Sequence, residues 1–284
     1  MPDTELPPSP QWIQRYLSLL GVPHNAPDMA ALTELVRAHV LSVPFENVTS
    51  LLRWRDHATG PVPAPAPETL LKAWECKTGG GLCFEICMMF ARLLRALGYQ
   101  AQIVLGQISV PFGHQAILVE LDGSRYLLDL GNGAPLFEPV ALDGAAVEIH
   151  RHGLSYRFRH GEHDMSLIQE RVVGSAWGVH CRYDLNPSRD ADRDQGYRHH
   201  HTANASWVTG TLTMVRSSAE KVVALRDSTL SRFTAAGKTV EQLSQPVDFQ
   251  RVAVEEFNLP LLPIGAALDV RAQLLARSSD AVNQ

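Results

Sequence analysis

The stretch from Cys83 to Leu97 limits the folds open to this chain more than any other. Phe84, Ile86, Met88, Met89, Phe90, Leu93, Leu94 and Leu97 leave a helix there with almost no polar face, so it belongs at the centre of a core. Gly98 is placed to end it. Three glycines, Gly79, Gly80 and Gly81, lead into the helix and put Cys83 at its start. Glycine admits positive φ and close backbone approach. At a helix N-terminus, unpaired N–H groups and the helix dipole favour a thiolate over a thiol. Cys83 therefore has two readings: a small buried hydrophobe, the usual fate of a free cysteine, or a nucleophile.

Two later segments favour the nucleophile. Gly113 to Val119 and Tyr126 to Gly133 read as neighbouring aliphatic strands, with Asp122-Gly123-Ser124 as the hairpin turn between them. His114 opens the first strand. Asp129 lies in the otherwise apolar second, where a carboxylate without a partner is costly. A histidine on the adjacent strand is the obvious partner. Cysteine, histidine and carboxylate then form an activated nucleophile, in which histidine takes the thiol proton and the carboxylate fixes the ring and supports the imidazolium.

Helical periodicity marks residues 10–20, 27–42 and 67–75, with Pro61, Pro63, Pro65 and Pro67 forming a stiff extended link. The pattern then turns to strands, at 101–109, 115–121, 125–130, 154–159, 165–172 and 177–184, which predicts an antiparallel barrel or sandwich. Residues 186–204 read as a polar loop. Within it, Arg189 to Arg198 alternates in charge like an exposed segment, and His199-His200-His201 reads as solvated rather than metal-binding. Strands at 207–215, 221–226 and 229–234 follow, then helices near 247–258 and 265–277.

Composition narrows the function classes. With 45% hydrophobic and 19% charged residues the chain is an ordinary globular one. A net charge of −5 argues against a general nucleic-acid or membrane-surface binder. No apolar run approaches the roughly 20 residues that span a bilayer. Met1 to Glu5 lack the pattern of a secretory signal, and four cysteines without a disulfide framework suit a reducing cytoplasm. Cys76, Cys83 and Cys87 lack a histidine at finger-like spacing, so no metal is expected. The glycine run lacks the Lys-Ser/Thr of a nucleotide-binding loop.

These motifs resemble those of the arylamine N-acetyltransferases. The hallmark of that family is Arg-Gly-Gly-x-Cys followed by Phe-Glu, then a strand-opening His, then Val-Asp-x-Gly-Phe-Gly. The chain reads Gly79-Gly80-Gly81-Leu82-Cys83-Phe84-Glu85, Gly113-His114 and Leu128-Asp129-Leu130-Gly131-Asn132-Gly133. Arg37-Ala38-His39 and Val43-Pro44-Phe45-Glu46-Asn47-Val48 are similar to the family's N-terminal signature, and Leu225 to Leu230 to a later strand. The resemblance spans nearly the whole chain. It implies an α+β fold: an N-terminal helical bundle over 1–98, an antiparallel β-barrel middle domain over 99–204, and a C-terminal α/β lid over 205–284.

It also implies two-step acyl transfer from a thioester to an amine through Cys83, His114 and Asp129, with Phe45, Leu82, Phe84, Asn132 and Trp207 at the substrate. Acetyl-CoA or another acyl thioester would be co-substrate, with no permanently bound cofactor. An amide synthase branch of the family, which takes its acyl chain from a carrier protein, is the alternative. A triad hydrolase or an inactive binding protein is a further one. The sequence departs from the pattern in four places. The hallmark Arg is Gly79, which leaves Glu46 to find another cation, with Lys77 and Arg53 as candidates. The pocket Phe is Asn132, the segment between Cys83 and His114 is short, and hydroxyls are thinned over Thr202 to Trp207.

Overall fold

The computed structural model describes residues 7–57, 60–161, 166–203 and 205–282, the last six by backbone alone. The helices are α1 (Pro10–Leu20), α2 (Met29–Ser42), α3 (Val48–Asp56), α4 (Pro67–Glu75), α5 (Cys83–Ala96), α6 (Asp190–His200), α7 (Trp207–Gly210), α8 (Pro246–Glu255) and α9 (Ile264–Val282). The strands are β1 (Phe45–Glu46), β2 (Gln100–Ile108), β3 (Val110–Leu121), β4 (Ser124–Leu128), β5 (Val140–Ala141), β6 (Val147–Arg151) and β7 (Leu154–His160). β8 (Ser166–Val173), β9 (Ala176–Asp184), β10 (Thr213–Ser217), β11 (Lys221–Arg226), β12 (Thr229–Thr234) and β13 (Gly237–Gln242) complete them.

Local chemistry explains the early helices. Ser9 accepts the Trp12 N–H at 3.2 Å and caps α1, while Gly21 ends it at φ 70°. Asp28 caps α2 through the Ala31 N–H at 2.7 Å. Pro67 starts α4, where a missing N–H costs nothing. These helices pack their apolar faces around α5, whose Ile86, Met89, Phe90, Leu93 and Leu94 are fully buried.

Eight antiparallel strands form one sheet in the order β5-β4-β3-β2-β9-β8-β7-β6. Leu118 and Leu127 on β3 and β4 share a core with Tyr156, Phe158 and Leu167 on β7 and β8, at the far end of that order. The sheet therefore curls until its two ends face one another, a nearly closed barrel. His160 at the end of β7 donates to the Leu142 carbonyl beyond β5 at 2.7 Å. Asp122 (φ 52°) and Gly123 (φ 79°) make the tight β3–β4 turn that the sequence predicts.

The second sheet runs β1-β10-β11-β12-β13. Val48, Leu51 and Trp54 of α3 join its core beside Leu225, Leu230, Phe257 and Val270. An early helix is thus built into the packing of the last third of the chain.

Three readings need correction. Residues 190–200 form α6, not a loop, because Arg193, Tyr197 and His200 bury one face of it. Gly196 permits this, since a Cβ there would lie 2.1 Å from the Phe112 carbonyl oxygen. Residues 207–210 are a helical turn, capped by Ser206, rather than the start of a strand. His200 and His201 are buried, not solvated. The expected strands at 101–109, 115–121, 221–226 and 229–234 all form, to within a few residues.

Candidate active site

Cys83 is the first residue of α5. The turn before it is fixed from several sides. Gly81 bridges Phe45 of β1, and its carbonyl accepts the Glu46 N–H at 3.1 Å. Gly80 packs on Pro44 so closely that a Cβ would sit 1.9 Å from the Pro44 oxygen. The Gly80 carbonyl accepts Trp74 Nε1 at 2.8 Å. Glu85 reaches back to the Leu82 N–H at 2.9 Å, closing the helix start.

The two buried carboxylates beside this turn divide their partners. Glu46 accepts the Gly80 N–H at 3.0 Å, the Thr49 hydroxyl at 2.6 Å and the Thr49 N–H at 2.9 Å. Burial pushes its carboxyl above the usual range in spite of these donors and the nearby Arg53. Arg53 makes its ion pair with Glu85 instead, and also bonds the Ser50 hydroxyl. Lys77 turns away to Asn258. Of the two candidate cations, Arg53 is the one in electrostatic reach of Glu46. Gly79, where the resemblance expects Arg, has Thr49 Cγ2 within 2.6 Å of a built Cβ.

His114 stands on β3 opposite Gly106 of β2, and Asp129 lies one residue beyond the end of β4. His114 Nε2 and Asp129 Oδ1 are 2.9 Å apart. The other ring nitrogen is not taken by Asp129, and Cys83 is close enough for its sulfur to act on the ring electrostatically. Burial alone would push the His114 ring down. The Asp129 carboxylate and the Cys83 sulfur outweigh it and raise the ring to about 10. Asp129 is held below its ordinary value: burial acts upward, but His114, the Tyr183 hydroxyl and His180 prevail. The exposures of Cys83, His114 and Asp129 are 5%, 3% and 2%.

Asp129 Oδ2 accepts two more donors, Tyr183 Oη at 2.8 Å and Asn132 Nδ2 at 2.5 Å. The sequence reading overlooks Tyr183. Its signal is the alternation of Cys181, Tyr183 and Leu185 with the charged Arg182 and Asp184, which puts Tyr183 on the face that the structure buries in the barrel. Gly131 packs on the cysteine itself, a Cβ there meeting Cys83 Cβ at 2.5 Å. Cys87, one turn further, is fully buried, donates to the Gln115 carbonyl at 3.2 Å, and has its thiol pushed well up by burial.

Of the residues expected at the substrate, Phe45 and Trp207 face each other with ring centroids 5.7 Å apart. Leu82 is buried in the helical core. Phe84 packs with Cys83 and Tyr197, its ring 5.9 Å from Tyr197 and 5.5 Å from His200. Asn132 directs its amide to Asp129 rather than into open space. Asn204 lies outside the described residues, while Ser206 bonds His200 Nδ1 at 2.8 Å. His200 Nε2 donates to the Gly113 carbonyl at 2.7 Å, so α6 is fastened beside His114.

The model of an N-acetyltransferase family matches residues 28–264, most of the chain. The chain belongs to this family. It is 28% identical over 187 residues to an arylamine N-acetyltransferase / N-hydroxyarylamine O-acetyltransferase of Salmonella typhimurium, an alignment covering 56% of the chain. The chain spans only 63% of that relative's length. It is also 26% identical over 189 residues to proansamycin X synthase of Amycolatopsis mediterranei, covering 63% of the chain and 70% of the synthase. The fold is shared with the arylamine N-acetyltransferase of Mycobacterium abscessus at a TM-score of 0.78 and 20% identity, over 95% of this chain and 99% of that one. Among the described residues no helix is long and apolar enough to cross a membrane.

Proposed function

We propose that the protein transfers an acyl group from a thioester to an amine through an acyl-cysteine on Cys83. The observation that carries this reading is the buried His114–Asp129 pair at 2.9 Å, with Cys83 at the start of α5 in electrostatic reach of the His114 ring. In the first step the Cys83 sulfur, as thiolate beside the His114 imidazolium, bonds the carbonyl carbon of the donor. The donor thiolate leaves and takes the His114 proton. In the second step an amine bonds the same carbon, gives its proton to the now neutral ring, and expels the Cys83 thiolate. Asp129 keeps the ring oriented and balances its charge throughout. The first N–H groups of α5 have no intrahelical acceptor and are suited to stabilise the oxyanion.

Acetyl-CoA or a related acyl-CoA is the donor of this reading, and a small amine the acceptor. Phe45 and Trp207 offer it aromatic walls, with Leu82 and Phe84 beside the sulfur. The bundle over 1–98 supplies the cysteine, the barrel over 99–204 the histidine and carboxylate, and the unit over 205–284 a partial lid, in a cytoplasmic enzyme. A second reading, an amide synthase taking its acyl chain from a carrier protein, uses the same residues and differs only in donor. The similarity to proansamycin X synthase favours it.

Intact mass spectrometry tests both readings. The protein is offered acetyl-CoA, longer acyl-CoAs and acyl-pantetheines, and the adduct is mapped. An acyl group on Cys83 that an amine discharges faster than water supports transfer. Acylation by acetyl-CoA selects the first reading, and acylation only by longer pantetheine thioesters the second. No adduct on Cys83, or discharge to water alone, overturns both.

A further inference from the structure

The turn after β4 carries a side chain that acyl transfer, as described so far, does not use. β4 ends at Leu128, so Asp129 lies beyond the last ladder pair, and strand pairing does not fix its carboxylate. Three donors fix it instead. Oδ1 takes His114 Nε2, and Oδ2 takes Tyr183 Oη from β9 and Asn132 Nδ2 from its own turn. The orientation of Asn132 follows from its neighbours. The Ala134 N–H can only donate, and it meets the amide oxygen at 2.8 Å, which leaves the NH2 for a carboxylate that can only accept. The turn itself is wedged in place. Gly131 lies against Cys83, and Gly133, at φ 70°, lies against Val215, where any Cβ would come within 2.6 Å of its atoms.

We propose that Asn132 is a positioning residue: its amide holds Asp129 Oδ2, and through it the His114 ring, in the orientation that acylation of Cys83 requires, instead of lining the acceptor pocket. The inference rests on the acyl-cysteine reading above. A donor lost from a buried carboxylate leaves that lone pair unsatisfied, and bonds to charged groups are among the stronger ones. The two alternatives separate by half-reaction. A pocket wall acts when the amine binds, after acylation. A residue that orients Asp129 acts before any amine is present.

The experiment measures single-turnover acylation of Cys83 without amine, across pH, for the parent and for Asn132→Leu, Asn132→Asp and Asp129→Asn. Asn132→Leu should acylate about 10- to 100-fold more slowly at saturating donor, with little change in donor concentration dependence. Asn132→Asp keeps an oxygen for the Ala134 N–H, so it retains the turn, but sets a second carboxylate against Oδ2. Its rate relative to the parent should rise as pH falls and the two carboxylates come to share a proton. The low-field proton resonance of His114 Nε2–H should shift in both variants. Parent-like acylation by both, with only the amine KM altered, overturns the proposal and returns Asn132 to the pocket. A pH-independent loss in Asn132→Asp, with the resonance unmoved, overturns it as well. If Asp129→Asn itself acylates like the parent, the acyl-cysteine triad fails and not merely the role of Asn132.

Discussion

Arg53 of α3 forms an ion pair with Glu85, the third residue of α5, whose carboxylate also accepts the Leu82 N–H at the mouth of the helix. The Glu85 side chain is fully buried and that of Arg53 only 19% exposed. One cation from a distant helix thus steadies the turn that presents Cys83, with Glu46 gripping the same turn at the Gly80 N–H. Removing one member of a buried pair strands the other, at a cost of about 3–5 kcal/mol. Arg53→Met should lower stability by that order in urea unfolding. Arg53→Met with Glu85→Gln should regain part of it. Were the single variant as stable as the parent, the pair would be a surface contact in energetic terms.

Gly131 is the second constraint on the cysteine. Any Cβ there meets the Cys83 Cβ at 2.5 Å and its Cα at 2.6 Å, and neither atom is the end of a flexible side chain. Gly131→Ala must displace either α5 or the turn that carries Asp129. We expect a folded protein whose Cys83 acylates at least about tenfold more slowly, since small misplacements of reacting groups are costly. A variant that acylates normally would show that the turn relaxes freely.

The sequence made the apolar α5, the glycine turn before it and the β3–β4 hairpin legible, because each depends on local pattern. His114 and Asp129 could be paired for a similar reason: a carboxylate among Leu127, Leu128 and Leu130 needs a neighbour. What could not be read depends on tertiary contact. The segment Asp190–His200 is polar, carries Gly196 in mid-helix and lacks a side-chain cap, so propensity argues against a helix. It forms because Tyr197 and His200 find Phe84 and Gly113 to pack and bond against. The partner of Glu85 was equally hidden, since nothing in the spacing of Arg53 and Glu85 brings α3 over α5. Asn132 looked like a lost aromatic wall. Only its distance to Asp129 shows what its amide meets.

Among the described residues, histidines held neutral by burial set the response to acid. Burial pushes His39 down to about 3, and His180, His200 and His201 down to about 4. In the unfolded chain each titrates near 6.5, so between roughly 6.5 and 4 the unfolded state binds protons that the folded state cannot. Stability therefore falls as pH drops through this window, by up to about 1.4 kcal/mol per unit for each histidine. His114 acts at the other end. Its raised value of about 10 gives stability that is complete below 6.5 and lost as pH rises toward 10. Urea unfolding at a series of pH values should show a maximum near neutrality, and His200→Gln should flatten the acid limb. A profile level from pH 6.5 to 4.5 would contradict the buried neutral histidines.

Tyr197 packs directly against Cys83, so its ring is a candidate limit on the size of an acyl group carried there. Its ring packs with Cys83 and Phe84 and stacks on His201 with centroids 4.1 Å apart, while its hydroxyl donates to the Pro63 carbonyl at 3.2 Å. The α6 helix that carries it is fastened at His200 to Gly113 and Ser206. A short acyl group needs little room beside the sulfur, whereas a long one must displace the ring or the helix. Tyr197→Ala should therefore raise acylation by long acyl thioesters relative to acetyl-CoA by about tenfold or more, the scale on which pocket volume discriminates. Tyr197→Phe, which loses the hydroxyl with its Pro63 bond and its contact to Arg53 but keeps the ring, should keep the preference of the parent. Comparing acylation rates across a chain-length series measures both. An unchanged ratio in Tyr197→Ala would mean that the acyl chain leaves Cys83 by another face, and that α6 is a structural strap rather than the wall that sets acyl size.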